Sequence, residues 1–197
     1  DPTAQGAGAV RGFDTGPASA LLDGWAARHL GQPYDDGGRW AAGGSVLPPL
    51  LQRLLAEPFF AASPPKSSGR DLFNLRWLEA QLQGDEAPQD VQATLLELSA
   101  RSIADALQAH ARPLLAGGTA MWVCGGGAHN TALMQRLRAL LPQLRIATSE
   151  ERGIGVSEVE AAAFAWLAHR FCERLPGNEP AATGAHGPRV LGALHPA

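Results

Sequence analysis

Six residues near the start of the chain, Gly12-Phe13-Asp14-Thr15-Gly16-Pro17, set a carboxylate on a tight turn between a short apolar segment and a helix start. Three readings fit that spacing. A carboxylate beside Thr and Gly suits a site that handles phosphate or takes a proton from water, as in a sugar kinase. Asp-Thr-Gly is also the triplet of aspartic proteases, which need a second facing carboxylate in an all-β setting. No second Asp-Thr-Gly occurs, and the residues that follow read as helix. The third reading is a plain helix cap, since Asp and Thr are good capping residues.

Gly125-Gly126-Gly127-Ala128-His129-Asn130 follows the apolar run Ala120-Met121-Trp122-Val123-Cys124. Glycines let a ligand approach the backbone, and a helix N-terminus offers unpaired N–H groups to an anion. The motif is neither G-x-G-x-x-G nor a P-loop. It is a nucleotide-binding turn or a tight strand-to-helix connection without a ligand. Lys66-Ser67-Ser68-Gly69-Arg70 is a basic, polar loop that contacts phosphate or caps the helix after it. Glu158 and Glu160 stand in the first turn of the last long helix, where acidic side chains suit the helix dipole and where one could face a sugar hydroxyl. No pair of the six histidines has ligand spacing on a helix, so no resident metal site is expected. Cys124 and Cys172 follow no metal or disulfide spacing and read as buried thiols.

These groups need a scaffold. Val10 to Phe13 reads as the end of a strand after a small, polar hairpin tip at 1–9, and Pro17 suits a first helical turn. Leu21, Leu22, Trp25, Ala26 and His29 recur at helical spacing up to Gly31. A turn-rich stretch over 32–45 leaves room for a strand near Trp40 to Val46. Further helices are expected at 47–56 (stopped by Pro58), 71–82, 90–110, 130–141 and 156–172, with strands at 120–124 and 144–148. The alternation predicts an α/β fold with few strands.

Composition bounds the rest. With 197 residues and 45% apolar content, one domain with an adequate core is expected. A net charge of −3 gives no basic footprint for nucleic acid. No apolar run approaches the ~20 residues that cross a bilayer, and nothing at the start resembles a signal peptide.

The segments Gly12 to Pro17, Pro65 to Arg70, Asp90 to Leu95, Val123 to Gly127, Glu160-Ala161, Ala163 to Ala168 and Leu175 to Asn178, in this order, resemble the C-terminal portion of anhydro-N-acetylmuramic acid kinases. The resemblance runs from about residue 10 to the end. It implies a ribonuclease-H-like α/β domain of the actin-like ATPase and sugar kinase superfamily, with helical insertions. It implies that residues 1–197 are a single C-terminal, adenosine-side domain, without the N-terminal domain and without the domain's own first strand. Asp14 would be the catalytic base. Gly125, Gly126, Gly127 and Asn130 would bind nucleotide, and Thr15, Gly16 and Glu160 the sugar.

The implied reaction uses ATP with Mg²⁺ to phosphorylate O6 of 1,6-anhydro-N-acetylmuramic acid while water opens the anhydro bridge. It gives N-acetylmuramic acid 6-phosphate in peptidoglycan recycling, in a bacterial cytoplasm, from a homodimer with no nucleic-acid or membrane partner. The 197 residues alone would lack activity. A different class of reading is a non-catalytic nucleotide-binding or dimerisation module derived from such a kinase. The sequence departs from the family pattern at Ala18-Ser19, where Gly-Asn is usual, at Ser68, where Thr is usual, and at Asp71, where Glu is usual.

Overall fold

In a computed structural model, which describes residues 10–115 and 118–195, the chain is an α/β protein organised around one long helix. The elements are α1 (Ala20–Leu30), α2 (Arg39–Ala42), α3 (Pro48–Leu55), α4 (Pro58–Ala61), α5 (Leu75–Glu79), α6 (Pro88–His110), β1 (Ala120–Val123), α7 (Thr131–Leu140), β2 (Arg145–Thr148), α8 (Val159–Cys172) and α9 (Pro180–Thr183). β1 and β2 pair in parallel, with Met121 opposite Ile146 and Trp122 opposite Ala147, and α7 makes the crossover between them.

The 23 residues of α6 are the spine. Val91, Leu95 and Leu98 are fully buried against Leu21 and Leu22 of α1, Leu50 and Leu54 of α3, and Leu137 of α7. Each such side chain contributes roughly 1.5–3 kcal/mol through burial. The polar residues of α6 tie loops to the spine. Thr94 Oγ1 accepts from Leu47 N (2.9 Å) at the entry to α3. Ser99 Oγ donates to Ala18 O (2.7 Å), and Pro88 O accepts from Trp25 Nε1 (2.8 Å). α1 is thereby fastened to the helix beneath it just ahead of its start and at its middle.

Several expected elements differ, each for a local reason. Val10 to Phe13 carries no strand; the hairpin tip at 1–9 lies outside the described residues. The stretch near Trp40 is a 3₁₀ turn at Asp36–Gly38 running into α2, because Asp35 accepts from Trp40 N and Ala41 N (both 2.9 Å) and starts a helical turn. α3 stops short of Pro58 as expected, ending at Leu55, and Pro58 itself opens α4, as proline suits a first helical position. The helix expected over 71–82 shrinks to α5, because Asn74 is extended and caps Trp77 N (3.0 Å) while its amide binds Arg70 O and Asp71 O. α8 begins at Val159; buried Val156 is part of the preceding turn, and its carbonyl accepts from Gly125 N (2.8 Å). Both cysteines are exposed, Cys124 after β1 and Cys172 at the end of α8, so the expectation of buried thiols fails. α8 itself buries no residue, and Phe164 and Trp166 are 65% and 52% exposed.

Candidate nucleotide cleft and carboxylate turn

Asp14 is held from three directions by the Lys66 to Ser68 loop. Its backbone N donates to Lys66 O (3.1 Å), and its Oδ2 accepts from Ser67 Oγ (2.9 Å) and Ser68 N (2.7 Å). The loop is anchored in turn by Lys66, the only lysine of the chain. Its Nζ donates to Phe59 O (3.0 Å) and Phe60 O (3.3 Å) at the end of α4, and lies 4.6 Å from the centre of the Phe59 ring. The basic loop is therefore folded around a carboxylate, an arrangement that its reading as a cap for the helix after it or as a phosphate contact had left out. Gly16 lets the turn lie on α6 and α4: a Cβ there would stand 2.8 Å from Ser102 Oγ and 3.0 Å from Phe60 Cε1. Beyond it, Ala18 takes a left-handed φ of 47°, a conformation that favours glycine.

On the other side of α1 lies a cleft of about 440 Å³. Ser19 and Asp23 of the α1 start, the Tyr34 to Gly37 turn, and Gly126, Gly127, His129, Asn130 and Leu133 line it. Gly125 takes φ 74° and ψ −174°, a conformation essentially confined to glycine. Nothing lies within 4 Å of where a Cβ would sit on Gly125 or Gly126, so the turn presents bare backbone. Asn130 is committed to α7, its side chain accepting from Leu133 N (3.0 Å) as an N-cap. Gly38 holds the opposite wall against it: at φ 71°, a Cβ on Gly38 would lie 2.2 Å from Asn130 Oδ1.

The cleft is acidic. Asp23, Asp35 and Asp36 line it, and no Lys or Arg does. Burial pushes the Asp23 carboxyl above its ordinary value, against the lowering effect of a hydrogen bond with Ser19 and the charge of Arg70. Asp35 is spent on the Trp40 and Ala41 amides and Asp36 pairs with Arg39, so what this wall offers to a ligand's hydroxyl or amino groups is the Ser19 and Asp23 side chains.

The sequence-predicted residues thus fall into separate places. Gly126, Gly127 and Asn130 share the cleft, with Gly125 at its hinge. Asp14 stands at the other end of the segment that leads into α1. Thr15 lines a second cavity of about 320 Å³ with Lys66, Ser102, Asp105 and His110. Glu160 is exposed on α8 and lines neither cavity. Sequence reasoning missed Asp23 and the Asp35 to Gly38 turn; Asp-Asp-Gly-Gly was a turn signal with no stated role. Among the described residues no three His, Cys, Asp or Glu side chains converge as metal ligands, and no helix is long and apolar enough to cross a membrane.

The family described as anhydro-N-acetylmuramic acid kinase matches residues 4–197. Relatives bearing the same description include a Burkholderia ambifaria protein, 56% identical over 195 residues, and a Chromobacterium violaceum protein, 53% identical over 188 residues. A Nitrosomonas europaea protein is 50% identical over 190 residues. The alignments cover 96%, 94% and 96% of this chain and 50%, 50% and 51% of the relatives. The chain spans about half the length of the curated relatives it matches.

Proposed function

The chain belongs to the anhydro-N-acetylmuramic acid kinase family, and on that premise we propose that it is the C-terminal, nucleotide-side half of such an enzyme. The fold proposed for the whole is the two-lobed, ribonuclease-H-like architecture of sugar kinases, with a second lobe closing over the Asp14 turn. The parallel β1–β2 pair and the uncovered apolar run of α8 over 161–168 support this, because eight successive apolar helical residues are normally covered.

In the proposed reaction, a water bonds to C1 of the anhydro sugar and gives its proton to Asp14. The C1–O6 bond breaks with its electrons moving to O6, which takes the γ-phosphoryl group of ATP and releases ADP. The product is N-acetylmuramic acid 6-phosphate, formed in the bacterial cytoplasm during peptidoglycan recycling. Asp14 contributes by position: it is fixed before substrate arrives, and general-base catalysis of this kind accelerates a step by about 10²–10⁴-fold.

The nucleoside of ATP would lie in the cleft, on the bare backbone of Gly125, Gly126 and Gly127 and beside Asn130. The phosphates would extend out of the cleft to the Asp14 turn, where the transfer is proposed to occur. Thr15, Gly16 and Glu160 are proposed on the sugar side. Mg²⁺ fits as an ion carried on the phosphates, since a phosphate-borne Mg²⁺ requires only one or two protein carboxylates; bound there, it neutralises charge on the transferring group. A homodimer is part of the proposal, with the groove between α3, α6 and α7 as the face covered.

The observation that carries this reading is the Asp14 carboxylate pinned at the entrance to α1, the helix whose start also walls the glycine-turn cleft. The test is Asp14→Asn in the full-length protein. Turnover should be lost while ATP affinity stays near wild type. Full activity in this variant would remove Asp14 as the base.

A further inference from the structure

We infer that Ser67 is a positioning residue for the reaction, and that with the Ser68 amide it assigns the proton-accepting role to one oxygen of Asp14, Oδ1. The inference rests on the proposed role of Asp14 as base. A carboxylate oxygen has two lone pairs in its plane, and an ionised carboxylate can only accept. Oδ2 has both taken, by the Ser67 hydroxyl at 2.9 Å and the Ser68 N–H at 2.7 Å. Oδ1 has no hydrogen-bond partner among the described residues. A proton from the attacking water therefore passes to Oδ1, and the two donors fix the plane in which Oδ1 points.

The clamp is built for rigidity. The Ser68 amide is backbone, and Lys66, two residues earlier, ties the same loop to Asp14 N through its carbonyl. Lys66 Nζ is in turn spent on Phe59 O and Phe60 O. One hydroxyl, that of Ser67, is the only clamp donor that a side-chain change can remove without moving backbone. The half-buried Asp14 turn also rests on α6 through Gly16, so the carboxylate has little room to find another partner.

The experiment is steady-state kinetics on the full-length protein with Ser67→Ala, Ser67→Thr and Ser67→Val, alone and combined with Asp14→Asn. Loss of one of the two donors lets the carboxylate rotate, and misplacement of a reacting group costs on the order of 10-fold to 100-fold in rate. Ser67→Ala and Ser67→Val should lower kcat by that factor with KM for both substrates unchanged. Ser67→Thr, which keeps the hydroxyl, should restore kcat. Thr and Val are nearly isosteric, so equal melting temperatures for those two variants with unequal kcat separate positioning from folding, even where Ser67→Ala folds poorly. The combined variants should show no turnover; a residual kcat of Asp14→Asn that falls again on adding Ser67→Val would overturn the inference. Equal kcat for the Thr and Val variants overturns the inference and leaves the role of Asp14 intact. Full activity of Asp14→Asn overturns the proposed function instead, whatever Ser67 does.

Discussion

Replacing Gly38 by alanine should destabilise the protein far more than the same change at Gly37 or Gly31, although all three have nearly the same backbone. Their φ angles are 71°, 65° and 66°, so each alanine incurs a left-handed penalty of about 1 kcal/mol. They differ in what the new methyl meets. At Gly31 nothing lies within 4 Å, and at Gly37 the nearest atoms are 3.9 Å away, on the Arg39 side chain. At Gly38 the methyl would sit 2.2 Å from Asn130 Oδ1 and 2.8 Å from Ala132 Cβ. Asn130 must then swing away and release Leu133 N, which removes an N-cap worth ~1 kcal/mol. The contact with Ala132, on helix backbone that cannot yield easily, adds at least ~1 kcal/mol of overpacking. The total is about 3 kcal/mol for Gly38→Ala against about 1 kcal/mol for each control. For a chain of this size 1 kcal/mol moves the melting temperature by roughly 2–4 °C. Thermal unfolding of the three variants should therefore place Gly38→Ala some 4–8 °C below the other two, by the same conversion. Melting temperatures that coincide would refute the close approach of the two cleft walls.

Three other expectations follow from single contacts. Ala18→Gly should raise stability by about 0.5 kcal/mol: relief of a left-handed alanine gains ~1–2 kcal/mol, while the added freedom of the unfolded chain costs ~0.5–1 kcal/mol; a lower melting temperature would contradict the turn geometry. Glu97, 6% exposed, accepts from Arg136 Nε and Nη2 (2.5 and 2.7 Å) and Arg101 Nε (2.6 Å), and although burial works to raise its carboxyl, these guanidinium bonds hold it below the ordinary 4.5. A folded value below the unfolded one means that this stabilisation is complete above pH 4.5 and is lost as the pH falls through the lower folded value, so Glu97→Gln should cost ~2 kcal/mol at neutral pH and leave a flatter acid limb in denaturant titrations. Cys124 and Cys172 should both react with a thiol reagent in the folded 197-residue chain; protection of either would contradict their exposure.

What was legible in the sequence was what is local. α1 and α6 carry long apolar periodicity with proline at the α6 start and glycine after α1, and they fall within two residues of expectation, apart from the α1 start, which gives way to the Asp14 turn. β1 is a short apolar run ended by a glycine cluster, and β2 a short segment with Ile146 and Ala147 buried; both stand within a residue of expectation. The failures lie where a side chain competes with the backbone for hydrogen bonds. Asn74 takes Arg70 O, Asp71 O and Trp77 N, and so removes the first turn of a helix whose leucine spacing is otherwise correct. Asp35 turns a stretch that could have been a strand into a helical turn in the same way. Of the candidate site, the glycine turn was legible because a glycine cluster between an apolar run and a helix carries its own signal, and Asp14 because it stands in a Gly-rich turn just ahead of α1. The clamp from Ser67 and the wall from Asp23 could not, because they join residues 53 and more positions apart.

The Asp14 turn and the glycine turn are linked by one rigid element, and that link explains why neither motif alone was decisive. Ser99, midway along α6, binds Ala18 O, and Pro88 at the start of α6 accepts from the Trp25 indole, so α1 cannot tilt without breaking one of them. Asp14 precedes α1, while Ser19 and Asp23 face Gly126 and Gly127 across the cleft. A ligand held by the glycine turn is therefore held at a fixed distance from the carboxylate. In the proposed reaction, whose catalysis would be mostly positioning and electrostatics, that fixed distance is the contribution assigned to this chain. On the same proposal, the second lobe brings the sugar to Oδ1 and covers the apolar run of α8 over 161–168.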